Sequence, residues 1–474
     1  MLNIFYSHAE NFLHSFVSSI HKTWDGKGGL AFKLTALFLI LPALGSLINF
    51  NIYHLPIFIG GAAILLICCL KPDSRPILIT GNLEAATCIL FILIIIQALT
   101  ERGFSIISAG GYVVLMTVIF LSILKNQSPA LETIIRWISL IFQFLMISLA
   151  IELVIIILGK QETLTQLFYA DVTTHYKNYN PADFIHFLGL APDSGGPNSI
   201  LMGSQVGSML SLFSALWFFY LGQQPFYLQN KTCSLGWLLF SALLLLLTMN
   251  GTTGFLTILG IAIPYFFSRN RRQKTKALIF ISIALLILYF LISNGYLFER
   301  VFSNELATFP QETVTLFKKS DIEYETKDIS VIDFYLFIFF RPVQLWLDSG
   351  TSNQFLGSGN NFFLNDDLYI GGDFGFGSEV LLKTGLIWGC TFLLLILSIC
   401  WPVLKTSADS KRKDYHWIGL AKFSALMGFL WLSSLIHYTP AIQNAGGYVL
   451  FSLSLALVIY CQFRASSLLR GKDE

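Results

Sequence analysis

The chain has 474 residues, 54% hydrophobic and only 12% charged, with a formal net charge of +2. Water-soluble domains carry about 25% charged residues, so this composition argues against a large aqueous core and points to the bilayer. No basic stripe alternates with aromatics on a polar surface, so nucleic acid is not an expected partner.

At the N-terminus, Leu2, Phe5, Phe12, Phe16, Ile20 and Trp24 recur at near-helical spacing, with His8, His14, His21 and Lys22 between them. This predicts an amphipathic helix on the membrane surface, within a cytoplasmic interfacial segment 1–31. The three histidines read as a solvated polar face rather than a metal site. No continuous apolar run ends in a small-residue cleavage site, so a cleaved signal peptide is not expected.

Twelve apolar runs of spanning length follow, near 32–50, 54–70, 82–99, 104–124, 134–159, 197–221, 233–249, 253–268, 276–293, 376–404, 417–437 and 446–463. The expected fold is all-α: a polytopic membrane protein of about 12 transmembrane helices. Lys22, Lys27 and Lys33 precede the first run. Lys71, Arg75, Lys125, Lys231, "SRNRRQKTK" (268–276), "KTSADSKRK" (405–413), Arg464, Arg470 and Lys472 follow alternate runs or the last. All of them fall on one side if both termini are cytoplasmic, which is the orientation expected of an inner-membrane protein. Spans one to nine then occupy 32–293 with an outer loop at 160–196. A large extracytoplasmic loop, 294–375, separates spans nine and ten, and 376–474 holds spans ten to twelve and the tail. No internal repeat or paired broken helix suggests an inverted-repeat transporter. The seven cysteines (68, 69, 88, 233, 390, 400 and 461) show neither metal-ligand nor disulfide spacing and read as small apolar residues.

Candidate chemistry gathers toward the outer face. Loop 160–196 offers His175, Lys177 and His186, and Pro197 begins the sixth span, where a helix N-terminus attracts anions. Glu152, deep in the fifth span, reads as a neutral, hydrogen-bonded group of the bundle. The large loop carries Arg300, Lys318, Lys319, Lys327 and Arg341. Its apolar stretch 331–348 is too short, and too interrupted by Arg341-Pro342, to span, so a helix or re-entrant segment on the outer leaflet is expected. Arg341 then lies at headgroup depth, either gripping a lipid-linked diphosphate through its planar fork or snorkelling beside Asp348. The glycine-rich tail from Gly357 and Gly359 to Ser378 can bring backbone amides close to a ligand, but lacks the ending of a phosphate loop. Asp366, Asp367 and Asp373 supply carboxylates there. Glu379 and Lys383 stand four apart on one face of the tenth span, and His437 closes the eleventh.

Three segments, in this order, resemble the O-antigen polymerase and ligase superfamily. They are "GGPNSILMGS" (195–204), "FRPVQLW" with "FLGSGNNFF" (340–363), and "DFGFGSEVLLKTGLIWG" (373–389). The resemblance implies a metal-independent glycosyltransferase, with no cofactor, acting on undecaprenyl-diphosphate-linked oligosaccharide at the outer face of the bacterial inner membrane. Its products would be O-antigen or capsular polysaccharide. Membrane lipids, a chain-length regulator and a flippase are the further partners it implies. The ligase branch uses a histidine in the large loop, and 294–375 contains none, which favours a repeat-unit polymerase. The alternatives are an O-antigen ligase and a polysaccharide flippase or other transporter. On the polymerase reading Asp373, Glu379 or His437 is the catalytic base. Arg300, Arg341, Lys177, His186, Asn198, Gly357, Gly359 and Lys383 bind substrate. Two departures stand out: loop 160–196 has no arginine, and "NGTTG" (250–254) follows the seventh span where the family often has one.

Overall fold

A computed structural model describes residues 16–27, 29–37, 105–158, 207–223, 231–248, 346–357, 376–406, 414–437 and 445–469, with scattered residues of 256–282 and residue 343. Nearly all described residues are helical and none lies in a strand. After helical segments 16–25 and 29–37 come α1 (Ser105–Gln127), α2 (Leu131–Ile157), α3 (Gly207–Gln223), α4 (Lys231–Thr248), α5 (Thr351–Leu356), α6 (Phe376–Lys405), α7 (Tyr415–His437) and α8 (Ala445–Leu469). Three of them, over Leu131–Ile155, Gly385–Lys405 and Val449–Leu468, are long and apolar enough to cross a membrane, and Met209–Gly222 and Ser234–Leu245 form shorter apolar helices. The described part of the chain is thus all-α and carries apolar helices of the kind that cross membranes.

Helix directions follow from side-chain contacts. Thr117 Oγ1 lies 3.4 Å from Ser452 O, Ser452 Oγ donates to Val113 O at 3.2 Å, and Lys125 Nζ sits 4.5 Å above the Phe463 ring. These pairs run in the same sense, so α1 and α8 are parallel. Trp417 meets Tyr460, and Trp431 meets Phe451, which makes α7 and α8 antiparallel. Phe213 against Trp431 and Tyr220 against Phe423 set α3 antiparallel to α7. Ser234 Oγ donates to Phe218 O, and Ser214 and Ser241 share a hydrogen bond of 2.7 Å, so α4 returns antiparallel to α3. The α1–α2 connection is only Ser128–Ala130. Ser128 has φ 40°, and Tyr460 OH donates to Pro129 O at 3.4 Å. From this turn the two helices take different neighbours: α1 lies on α8 and α6, and α2 on α3 and α4. α6 and α7, consecutive in the chain, pack directly on each other.

One end of the bundle therefore collects the end of α1 with Lys125, the start of α2 with Glu132 and Arg136, and the start of α4 at Lys231. The end of α6 with Lys405, the start of α7 with Lys422, and Arg464 of α8 join them. Lys125, Lys231, Lys405 and Arg464 are among the cations whose positions along the chain predict a common side. Three cations lie over rings there: Lys125 on Phe463, Lys405 on Trp401 and Arg464 on Trp417. Cations seated on the faces of aromatic rings are held by the ring quadrupole, and basic and aromatic residues together are common at a membrane boundary.

The interior is aromatic and sparsely polar. Trp217 Nε1 donates to Ser139 Oγ at 3.0 Å, and its ring packs on Phe142, Tyr220 and Phe423. Facing outward are Phe144, Ile151 and Val154 on α2, with Leu158 just past its end, and Leu235, Leu239 and Leu243 on α4, between 42% and 68% exposed. Spacings of three, four and seven residues put each set on one helix face, as lipid contact requires.

Of the N-terminal segment, residues 16–25 are helical. Phe16 and Ile20 of segment 16–25 pack against the core, while Val17 and Trp24 stay exposed. The helix stops at Gly26, and a second one, carrying buried Ala31 and Phe32, begins at Gly29. A Cβ at Gly29 would lie 2.3 Å from Trp24 O, so only glycine permits this elbow, across which Lys33 Nζ sits 4.8 Å above the Trp24 ring. Leu2, Phe5 and Phe12 lie outside the described residues. So do the spans near 54–70 and 82–99, the loops 160–196 and 294–342, and residues 197–206, where Pro197 opens the sixth predicted run.

A Cβ at Gly428 would lie 3.1 Å from Cys400 Sγ and 3.5 Å from Leu455, where α6, α7 and α8 meet, whereas Gly222 of α3 has nothing within 4 Å. Gly428→Val should therefore lower the thermal unfolding midpoint in detergent, costing about 1–3 kcal/mol through overpacking, while Gly222→Ala should leave it unchanged or raise it by helix propensity. In the buried Ser214–Ser241 pair, either serine to alanine should cost about 1 kcal/mol, and the double variant should cost little more than one single change, because no partner is then left unsatisfied. The same unfolding measurement checks this.

Candidate functional site

The end of the bundle opposite the basic one is where the described candidates lie. His437 is the last residue of α7, about 33 Å along the helix from Tyr415 at 1.5 Å per residue. Glu379 and Lys383 fall on the first part of α6, ahead of a stretch of about 30 Å that ends at Lys405. Glu152 stands about 32 Å along α2 from Leu131. It is buried at 1% exposure and engaged by a neighbour, in keeping with a group satisfied inside the bundle.

The sequence reads residues 376–404 as one continuous span, and here the structure differs. Gly385 has φ 75° and ψ 176°, so α6 is two helices joined at a kink. Glu379 and Lys383 lie on the short segment before the kink, and the apolar span proper runs from Gly385 to Lys405, about 30 Å. The expectation of unbroken helices is corrected at this point. The break lies toward the end of the span and not at its middle, so it does not create a midplane site of the transporter kind.

α5 packs into that kink. It follows a helical turn at 346–348 and is fastened to it by two hydrogen bonds. Trp346 Nε1 donates to Gln354 O at 2.8 Å, and Gln354 Nε2 donates to Leu347 O at 2.7 Å. Ser349 Oγ closes the turn on Trp346 O, and Asn353 N and Gln354 N both donate to Gly350 O. Leu356 rests against the core, while Leu347 and Phe355 remain exposed. The helix ends at Gly357, whose φ is 85° and whose N–H donates to Asn353 O at 2.8 Å. The Gly357 amide, which the sequence offers to a ligand, is thus engaged within its own turn.

Of the proposed site residues, Gly357, Glu379, Lys383 and His437 occupy described helices or their ends. Asp373, Arg300, Arg341, Lys177, His186, Asn198 and Gly359 lie outside the described residues, as do Asp366 and Asp367. Asp348, the alternative partner for Arg341, is exposed on the turn before α5. Residue-by-residue reading missed Gly385. Its signal was present, a glycine inside the run "KTGLIWG", but an apolar glycine in a span reads as helix unless its backbone angles are known.

A cavity of about 30 Å³ opens between α2, α3, α7 and α8, lined by Phe142, Phe213, Met427, Trp431 and Leu453 among others. It has room for about one water molecule, and none of its lining residues belongs to α5 or α6, so it is a packing gap and not a place for a sugar. Compared with protein-family models and with curated proteins, the chain matches none.

Proposed function

We propose that this chain is an inner-membrane polymerase of lipid-linked glycan repeat units, with about twelve spans and both termini in the cytoplasm. The observation that carries the reading is polar segregation. The cations at the described helix ends gather at one end of the bundle, whereas Glu379 and Lys383, on the segment before the α5–α6 elbow, and His437, at the end of α7, belong to the other. By the positive-inside bias the basic end faces the cytoplasm. Ionisable residues at the opposite face then suit a polar substrate held outside, whereas a transporter needs them along a central path. The motif resemblance at 195–204, 340–363 and 373–389 supplies the substrate class.

In the proposed reaction, a terminal hydroxyl of one lipid-linked repeat unit attacks the anomeric carbon of a glycan carried on a second undecaprenyl diphosphate. The carbon–oxygen bond to the diphosphate breaks, the new glycosidic bond forms, and the lipid diphosphate leaves with the bonding electrons. Asp373, Glu379 or His437 accepts the hydroxyl proton. Arg341 and Arg300 hold the charge that grows on the diphosphate, with Lys383, Lys177 and His186 in support, so fixed cations serve the leaving group. Asn198, Gly357 and Gly359 contribute to the substrate-facing loops.

The purified protein, given only lipid-linked repeat units, should extend them into chains. Arg341→Ala should lower output by roughly a hundredfold or more, and Arg341→Lys should give an intermediate loss because it keeps the charge but not the planar fork. Gel analysis of the glycan, at matched membrane levels of each variant, reads this out. Full activity in both variants would sink the assignment of Arg341. A deletion strain that leaves single repeats on the acceptor supports polymerase loss, and one that leaves the acceptor bare indicates a ligase instead.

A further inference from the structure

We infer that Gly385 is a positioning residue: together with Gly357 it forms a two-glycine backbone contact that fixes α5, and the segment leading into it, at the outer boundary of the membrane. Three observations meet here. Gly385 (φ 75°, ψ 176°) and Gly357 (φ 85°, ψ 158°) both adopt a backbone conformation that is essentially closed to residues with a Cβ. A Cβ at Gly385 would lie 2.4 Å from Gly357 N and from Phe355 O, and 2.6 Å from Phe355 C. All three are main-chain atoms, with no side chain that could swing aside. The level of the contact is set by α6, because Gly385 stands about 30 Å, one hydrocarbon thickness, from Lys405.

The arrangement explains why a helix of six residues stays put. Too short to be stable alone, α5 is fastened at one end by the Trp346–Gln354 hydrogen bonds and at the other by main-chain contact with the kink. Trp346 is five residues after Arg341 in "RPVQLW". Whatever holds α5 therefore limits how far Arg341 can travel. The functional part of the inference rests on the polymerase reading, while the structural part does not. Gly389, one turn further along α6, has nothing within 4 Å and an ordinary helical backbone, and provides the control.

Hydrogen exchange of the full-length protein in detergent, followed by mass spectrometry, tests the contact directly. In Gly385→Ala the amides of 346–357 should exchange roughly tenfold faster or more, with α7 and α8 as protected as in the unaltered chain. Gly389→Ala should match the unaltered chain throughout. Should Gly385→Ala fail to fold, Gly357→Ala breaks the same contact from the α5 side, through its φ of 85°, and should give the same local loss. Unchanged protection of 346–357 in the folded variants would overturn the inference. In chain-extension assays, kcat should fall in Gly385→Ala and Gly357→Ala with KM for the lipid-linked unit little changed. An unchanged kcat with 346–357 loosened would overturn the positioning role and leave the polymerase reading intact. Absence of chain extension by the unaltered protein would count against the polymerase reading alone, and exchange would then decide the contact.

Discussion

The hydrogen bond from Trp217 to Ser139 is the interaction around which the described bundle is arranged. Lipid tails are as apolar as leucine, so burying a leucine between two membrane helices gains little over leaving it in lipid. What holds such helices in a defined order is close fit and the few polar groups that find one another. Trp217 supplies both: its ring touches α2 and α7, and its N–H donates to the Ser139 hydroxyl of α2. The Ser214–Ser241 and Thr117–Val113–Ser452 contacts do the same for α3 with α4 and α1 with α8. Directional bonds of this kind fix register, which the uniform apolar faces of these helices do not.

The elbow at Gly385 follows the opposite logic. Inside a bilayer a broken helix exposes backbone groups that nothing in lipid can satisfy, so a break survives only where protein covers it or water reaches it. In α6 the break coincides with the end of the apolar stretch, and α5 covers it with main chain. Position and cover explain each other. The same kink elsewhere in the span would leave peptide groups in hydrocarbon.

Where the structure describes long helices, their positions were legible from the sequence, because the apolar runs are long and their ends are marked by charge. The runs near 104–124, 134–159, 233–249, 376–404, 417–437 and 446–463 each correspond to a helix whose ends differ by a few residues. The differences have a common cause: ends such as Leu131–Ile135 or Phe463–Leu469 continue the helix through polar residues that hydropathy does not count. The sidedness of Lys125, Lys231, Lys405 and Arg464 was legible for the same reason. Gly385 was not, since φ and ψ have no composition signature. Nor was the mate of Trp217, because a hydroxyl donor or acceptor on a distant helix leaves no periodicity behind. The site was legible only as a list of ionisable groups on one side. Grouping Glu379, Lys383 and His437 at one end needed helix directions, and those come from contacts far apart in the chain.

The turn at Ser128–Ala130 also couples parts of the bundle that are otherwise separate. Three residues of chain keep the end of α1 and the start of α2 side by side, yet α1 lies on α8 and α6 while α2 lies on α3 and α4. The turn is therefore a short covalent tie between two packing groups. Tyr460 donates to Pro129 O across it, from a residue 331 positions further along the chain. A disturbance at that end of α8 would thus reach α2 through backbone as well as through side-chain packing.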